Sequence, residues 1–271
     1  MSSIVLSAGV RSNLLQLQQT SDAITQTQTR LATGLRVNSA LDNPNNYFTA
    51  QGLNNRASDL GNLLDSMATG INTIQAANNG ISAITKLVQS AQSLVSQAQQ
   101  TSDNTTRASL ATQFDQIRSQ IDQLAQDSGF NGINLLNGDN LTVTLNETGK
   151  SSVTISGVTD TTASKLAINA SSNNWAGATD ITAASTALTS ALTTLRSQAQ
   201  SLGSSLSTVQ IRQDFTKATI NTLQSGSDAL TLADSNQEGA NLLALQTRQQ
   251  LSTTALSLAS QADQNVLRLF Q

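Results

Sequence analysis

Apolar residues recur at every seventh position over long reaches of this chain. Leu53, Leu60, Met67, Ile74, Ile81, Val88 and Val95 form one unbroken series. Ala57, Leu64 and Ile71, then Ala77, Ile84, Ala91 and Ala98, run beside it. Two such positions per heptad draw an apolar stripe down one face of a helix, so the spacing predicts a helix from Pro44 to about Gln100. Proline suits the first helical position, where its missing N–H costs nothing, and Asp42 or Asn43 stands ready as the cap. Gly61, Gly70 and Gly80 each weaken an isolated helix by up to about 1 kcal/mol relative to Ala, so packing is expected to override them. A second series, Ile181, Leu188, Leu195, Leu202, Val209, Leu223 and Leu230, is interrupted only by Thr216, with Leu192, Ala199, Leu206 and Ile220 alongside. It predicts another long helix.

Between these two lies a shorter helix, about Thr106 to Asp127, with the stripe Leu110, Phe114, Ile117, Ile121 and Leu124. The short turn before it, Thr101–Asn104, implies an antiparallel return. Gly129 to Gly138 is rich in turn residues. The period then drops to two: Leu141, Val143 and Leu145 alternate with polar residues, as do Val153 and Ile155, and Asn146–Lys150 joins them as a β-hairpin. The Ser/Thr/Asn-rich stretch from there to about Asp180 carries no clear period.

The two ends are helical by pattern but incompletely apolar. From about Ile4 to Leu35, Val10, Leu17, Ile24 and Leu31 are seven apart, whereas Leu14 and Leu35 share the other heptad position with Ser21 and Gln28. At the far end, Ser235-x-x-Glu238 reads as a capping box. The helix it opens carries two seams. Leu242, Leu245, Leu256, Ala259, Val266 and Phe270 form one; Leu251, Ala255, Leu258, Ala262 and Leu269 form the other. Leu256 and Leu258 are two residues apart and point to nearly opposite sides. A single partner cannot cover both seams, so the neighbours are expected to be other copies of the chain. The expected subunit-interface residues are Val10, Leu14, Leu17, Ile24 and Leu31 with Leu242, Leu245, Leu251, Leu256, Leu258, Val266, Leu269 and Phe270. The fold class is mainly α: long antiparallel helical rods, like a coiled-coil bundle, with a small β-hairpin insert.

Composition narrows the chemistry. His and Cys are both absent, which removes His-based acid–base catalysis, the Ser-His-Asp triad, disulfides and Cys/His metal sites. Acidic residues are scattered singly, so no catalytic, cofactor or metal site is expected and the chain is not read as an enzyme. The net charge is -3 with no basic run, which speaks against nucleic-acid binding. No stretch reaches the roughly 18 apolar residues a membrane span needs, and Ile4-Val5-Leu6 is too short for a secretory signal core. Trp175, alone of its kind, is expected to pack or sit on the surface. Four Asn-x-Ser/Thr triplets, at Asn104, Asn140, Asn146 and Asn169, are what chance gives in a chain this rich in Asn, Ser and Thr.

Three motifs carry a resemblance. Arg30-Leu31-Ala32-Thr33-Gly34-Leu35-Arg36-Val37-Asn38-Ser39-Ala40 and Phe130-Asn131-Gly132-Ile133-Asn134-Leu135-Leu136 resemble N-terminal signatures of bacterial flagellins. Ala240-Asn241-Leu242-Leu243-Ala244-Leu245-Gln246, with Asn265-Val266-Leu267-Arg268-Leu269-Phe270, resembles the C-terminal one. Ala40-Leu41-Asp42-Asn43-Pro44 with Tyr47-Phe48-Thr49 looks like the alphaproteobacterial branch. The resemblance implies a filament subunit for swimming motility. Terminal helices 1–36 and 234–271 pair as the inner coiled coil; 37–43 is a connector; 44–130, 131–180 and 181–233 are the rod helices and the hairpin insert. A short form without outer domains is expected. The resemblance further implies export through the flagellar type III channel to an extracellular filament. The implied partners are further copies, an export chaperone, hook-junction proteins and a cap. A hook–filament junction protein, which shares the terminal helices, is the alternative. Many flagellins are read by a Toll-like receptor through a stretch of the form Gln-Arg-x-Arg-Glu-Leu; the matching Gln89-Ser90-Ala91-Gln92-Ser93-Leu94 has Ser90 and Gln92 in place of both arginines.

Overall fold

The heptad series become the longest elements of the chain. A computed structural model describes residues 8–158 and 161–269. In order they form α1 (Ala8–Thr33), α2 (Pro44–Gln100), α3 (Asn104–Asp127), β1 (Leu141–Thr144), β2 (Ser152–Ile155), α4 (Ala178–Thr231) and α5 (Ser235–Leu269), with single 3-10 turns at Leu135–Asn137 and Asn173–Trp175. The chain divides into two compact units, residues 56–221 and residues 1–55 with 222–271, and both boundaries fall inside α2 and α4.

Residues 56–221 enclose one continuous core. Met67, Ile74, Ile81, Val88 and Val95 of α2 are buried together with Leu110, Phe114 and Ile121 of α3 and Ile181, Leu188, Leu195, Leu202 and Val209 of α4. Thr216 takes the next heptad position of α4 and is also buried; its hydroxyl donates to the Arg212 carbonyl at 2.9 Å, so the polar atom is satisfied by its own helix. Asp103 caps α3, accepting from the amide nitrogens of Thr105 and Thr106. The Thr106 hydroxyl, then its amide, holds the Asp103 carboxyl below its ordinary range. The hairpin is antiparallel with Leu141 opposite Ile155 and Val143 opposite Val153, and Leu141, Val143 and Ile155 turn inward to the core.

The glycines of α2 divide by what approaches them. Gly61 has open space around its Cα, but a Cβ on Gly70 would lie 2.7 Å from Val143 Cγ2, and one on Gly80 would overlap Ser128 and lie 2.7 Å from Leu136 Cδ1. The hairpin and the Ser128–Leu136 segment lie against α2 only because side chains are missing there. Gly80→Val is expected to destabilise this unit by about 1–3 kcal/mol through overpacking, seen as a melting temperature lowered by several degrees, whereas Gly61→Ala raises it slightly.

The segment 161–176 has no period because its order comes from α3. Asp115 accepts from the Ser171 amide at 3.0 Å and its hydroxyl at 2.6 Å; Arg118 Nε donates to the Ile168 carbonyl at 2.7 Å; Asp122 accepts from the Ala163 amide at 2.8 Å. These residues lie one turn apart on the helix. Trp175 is fully buried against Phe114, ring centroids 5.0 Å apart.

In the other unit, α1 ends at Thr33 and Gly34 takes the left-handed conformation, φ +69°. The chain then pairs briefly with the end of α4: Leu35 opposes Leu232, the Arg36 amide donates to the Thr231 carbonyl at 2.7 Å, and the Ala233 amide donates to the Gly34 carbonyl at 2.9 Å. Asp42 closes the following turn, accepting from the Asn38 and Ser39 amides at 2.9 and 3.0 Å, and those N–H groups hold its carboxyl below its ordinary range. Asn43 caps α2, accepting from Asn46 N at 3.0 Å. At α5 the capping box is not formed. Asp234 accepts from the amides of Asn236 and Gln237, and Glu238 turns instead toward α1.

Candidate subunit interface

α1 and α5 pack against each other. Arg30 Nη1 lies 3.1 Å from Glu238 Oε1, which sets the end of α1 beside the start of α5 and makes the pair antiparallel. On α5 the half-buried positions are Leu242, Leu245, Gln249, Ser252, Leu256 and Ala259, alternating by three and four after buried Glu238. That alternation is the seam of a coiled coil. On α1 the positions at seam spacing are Val10, Asn13, Leu17, Thr20, Ile24, Thr27 and Leu31, all covered, and Ala23 and Arg30 are also half-buried.

The α1 seam therefore differs from the apolar pattern at one heptad position. Asn13, Thr20 and Thr27 fill it, and Leu14, Ser21 and Gln28 do not. Thr20 donates its hydroxyl to the Gln16 carbonyl at 2.8 Å, which leaves its methyl to pack. Leu14 and Leu15 face outward as a result, as do Leu243, Leu251 and Leu258 of α5. Of the expected interface residues, Val10, Leu17, Ile24, Leu31, Leu242, Leu245 and Leu256 lie in the seam between α1 and α5. Leu14, Leu251 and Leu258 lie off it and are uncovered. Val266 and Leu269 belong to α5 but their side chains lie outside the described residues, as does Phe270 altogether.

Glu238 is the one charge drawn into this seam among the described residues of α5. Its Oε1 meets Arg30, and its buried Oε2 has no hydrogen-bond partner among the described residues. Removing one member of such a pair leaves a charge buried and uncompensated. Arg30 is partly exposed, so Arg30→Ala is expected to cost about 2–3 kcal/mol rather than the full buried-pair loss. Hydrogen exchange would show it as amides of 20–33 and 238–250 exchanging tens of times faster.

The stretch resembling the receptor motif lies on α2. Gln89 and Ser90 are exposed, Gln92 and Leu94 half-buried. Ser90, Ser93 and Leu94 line a shallow groove with Gln113, Gln116, Ile117 and Gln120 of α3. The rim is neutral throughout. Among the described residues there is no group of three or more metal-ligating side chains, and no helix long and apolar enough to cross a membrane.

The comparisons agree from both ends of the chain. Residues 8–141 match the bacterial flagellin N-terminal helical region and residues 185–270 the bacterial flagellin C-terminal helical region. This chain belongs to the bacterial flagellin family. A flagellin of Caulobacter vibrioides is 32% identical over 280 residues, covering 100% of this chain and 99% of that one. One of Brucella melitensis is 28% identical over 283 residues and 100% of both chains. Flagellin A of Rhizobium meliloti is 46% identical over 81 residues, 30% of this chain and only 21% of that protein. Flagellins are structural proteins, and this one keeps the family's helical ends and a small antiparallel sheet between them. The match to flagellin at both ends does not favour the junction-protein alternative.

Proposed function

We propose that this flagellin polymerises into the extracellular filament of the bacterial flagellum and carries no enzymatic activity. The observation that supports this most directly is the face of α5 turned away from α1. Leu251 and Leu258 lie one heptad apart and stand 67% and 62% exposed. An ordinary bundle buries such a row. Here the helix already has its partner in the chain, so the second row is left for other copies, as are Leu14 and Leu15, exposed on α1. The α1–α5 pair takes the inner-tube role, and residues 56–221 the wall role, that the resemblance to flagellins implies. An export chaperone covers the exposed rows before assembly, and hook-junction and cap proteins bound the filament at its two ends. Electron microscopy of the purified chain after adding filament seeds or a precipitant tests the reading: long filaments of uniform width are expected, and a chain that stays monomeric under both conditions overturns it.

A further inference from the structure

The face of α5 turned from α1 carries a second seam. Ala240, Ala244, Thr247, Leu251, Thr254 and Leu258 alternate by four and three residues, the spacing of a coiled coil, and all six are exposed. Thr247 and Thr254 donate their hydroxyls to the Leu243 and Gln250 carbonyls, each at 3.0 Å. The same bond lets Thr20 pack inside the α1–α5 seam. The polar atoms of the outer seam are therefore satisfied before any partner arrives. α1 carries an outer seam as well. Leu15, Gln18, Asp22, Thr25 and Thr29 alternate by three and four, all exposed. The Thr25 and Thr29 hydroxyls return to the Ser21 and Thr25 carbonyls at 3.1 and 2.9 Å.

The charges select the partner. α1 holds Arg11, Asp22 and Arg30, and α5 as far as Leu258 holds Glu238 and Arg248. Arg30 and Glu238 pair within one copy. Asp22 is the one acid of α1, and Arg248 the one base on that length of α5. Both are exposed, and neither enters an ion pair among the described residues. Asp22 lies within the outer seam of α1. Arg248 follows Thr247 and flanks the outer seam of α5, the place from which charges set the partner of a coiled coil. Two copies of α5 set face to face would bring Arg248 to the contact with no acid to meet it; the outer seam of α1 supplies one.

We infer that the outer seam of α5 in one copy packs antiparallel against the outer seam of α1 in another, with Arg248 meeting Asp22. The inference rests on the filament reading and names the helix that each copy offers to the next. A screw axis preserves direction along itself, so α1 of one copy runs against α5 of another as the two do within a copy. With Asp22 level with Arg248, Leu15 falls level with Ala255, in the space bounded by Leu251, Thr254 and Leu258. Thr29 falls level with Asn241, beside Ala240 and Ala244. Leucine meets leucine, and threonine meets alanine. The two surfaces differ, so the contact is heterologous, the kind that builds helical filaments. Each copy offers its α5 to one neighbour and its α1 to another.

A charge exchange tests the pair. Asp22→Arg and Arg248→Asp each set like charges against one another across the contact. Each is expected to raise the critical concentration for seeded polymerisation at least about tenfold. The monomer's melting curve is expected to stay unchanged, because both side chains are exposed within the copy. The chain carrying both changes has opposite charges again, and its critical concentration is expected to return close to that of the natural chain. Cysteine is absent from the chain, so cross-linking reads the contact directly. Filaments co-assembled from Leu15→Cys chains and Thr254→Cys chains, treated with a short bis-maleimide, are expected to give dimers holding one chain of each kind. Filaments of either variant alone are expected to give none. Single charge variants that polymerise like the natural chain, a double variant no better than the single ones, or no mixed dimer would each overturn the contact and leave the filament reading standing. Dimers from Thr254→Cys chains alone would place α5 against α5 and overturn it too. If the unsubstituted chain forms no filaments, the filament reading itself fails, and the contact with it.

Discussion

Leu251→Asp combined with Leu258→Asp is expected to abolish filament formation while leaving the chain's own helices folded. Both side chains are exposed on α5 and lie off the seam with α1, so little is lost within one copy. In a polymer each substitution forfeits about 1.5–3 kcal/mol of apolar burial and sets an unpaired carboxylate in a desolvated contact. Two of them shift each association step by at least ~10²–10⁴, and the loss recurs at every subunit. The contrast is Leu256→Asp, whose side chain is half-buried in the α1 seam. That change is expected to loosen α1 and α5 within the monomer as well. Sedimentation after seeding measures polymer; circular dichroism and hydrogen exchange on the monomer measure folding. Normal filaments from the double variant would remove the outer face of α5 from the interface.

The contrast between these variants also marks how far the sequence could be read. Along α2 and α4 the heptad series predicted the core, because Leu, Ile, Val and Met at those positions have no alternative to burial in water. The α1 seam was less legible. Threonine counts as polar by composition, yet Thr20 and Thr27 are buried while Leu14 is not. At Thr20 the hydroxyl returns to its own helix carbonyl, which makes threonine a packing residue there, and no hydropathy pattern records that bond. The same holds at the start of α5, where Ser235 and Glu238 have the spacing of a capping box. Asp234 provides a better acceptor one residue earlier, and Glu238 is drawn to Arg30, remote in sequence and near only after folding. The order of the segment 161–176 is illegible for a related reason. Its order comes from Asp115, Arg118 and Asp122 binding backbone amides and carbonyls some 40–56 residues away. Backbone partners leave no trace in side-chain pattern. Gly70 and Gly80 read as weaknesses in an isolated helix; their use lies in the close approach of Val143 and Leu136, which sequence spacing does not carry.

Restoring charge to the receptor-motif stretch is expected to raise recognition by the Toll-like receptor about a hundredfold or more. The motif in flagellins that the receptor reads places arginines where this chain has Ser90 and Gln92. Arginine offers a planar fork of donors to a carboxylate, and such charge-assisted bonds are roughly twice as strong as neutral ones. Each is worth about 1.5–3 kcal/mol when formed, so two together amount to ~10² or more in affinity. Ser90 is exposed at the rim of the α2–α3 groove, so an arginine there is free to reach a partner. Gln92 is half-buried. An arginine at that position keeps its guanidinium in water by laying its aliphatic stem along α2. Neither substitution touches the buried series of Val88, Ala91 and Val95, so the fold is expected to survive both. Purified monomer in a receptor reporter assay gives the measurement: weak activation by the natural chain, with potency recovered by Ser90→Arg/Gln92→Arg and only partly by either alone. Potency of the natural chain equal to that of an arginine-bearing flagellin would show that these positions do not control recognition.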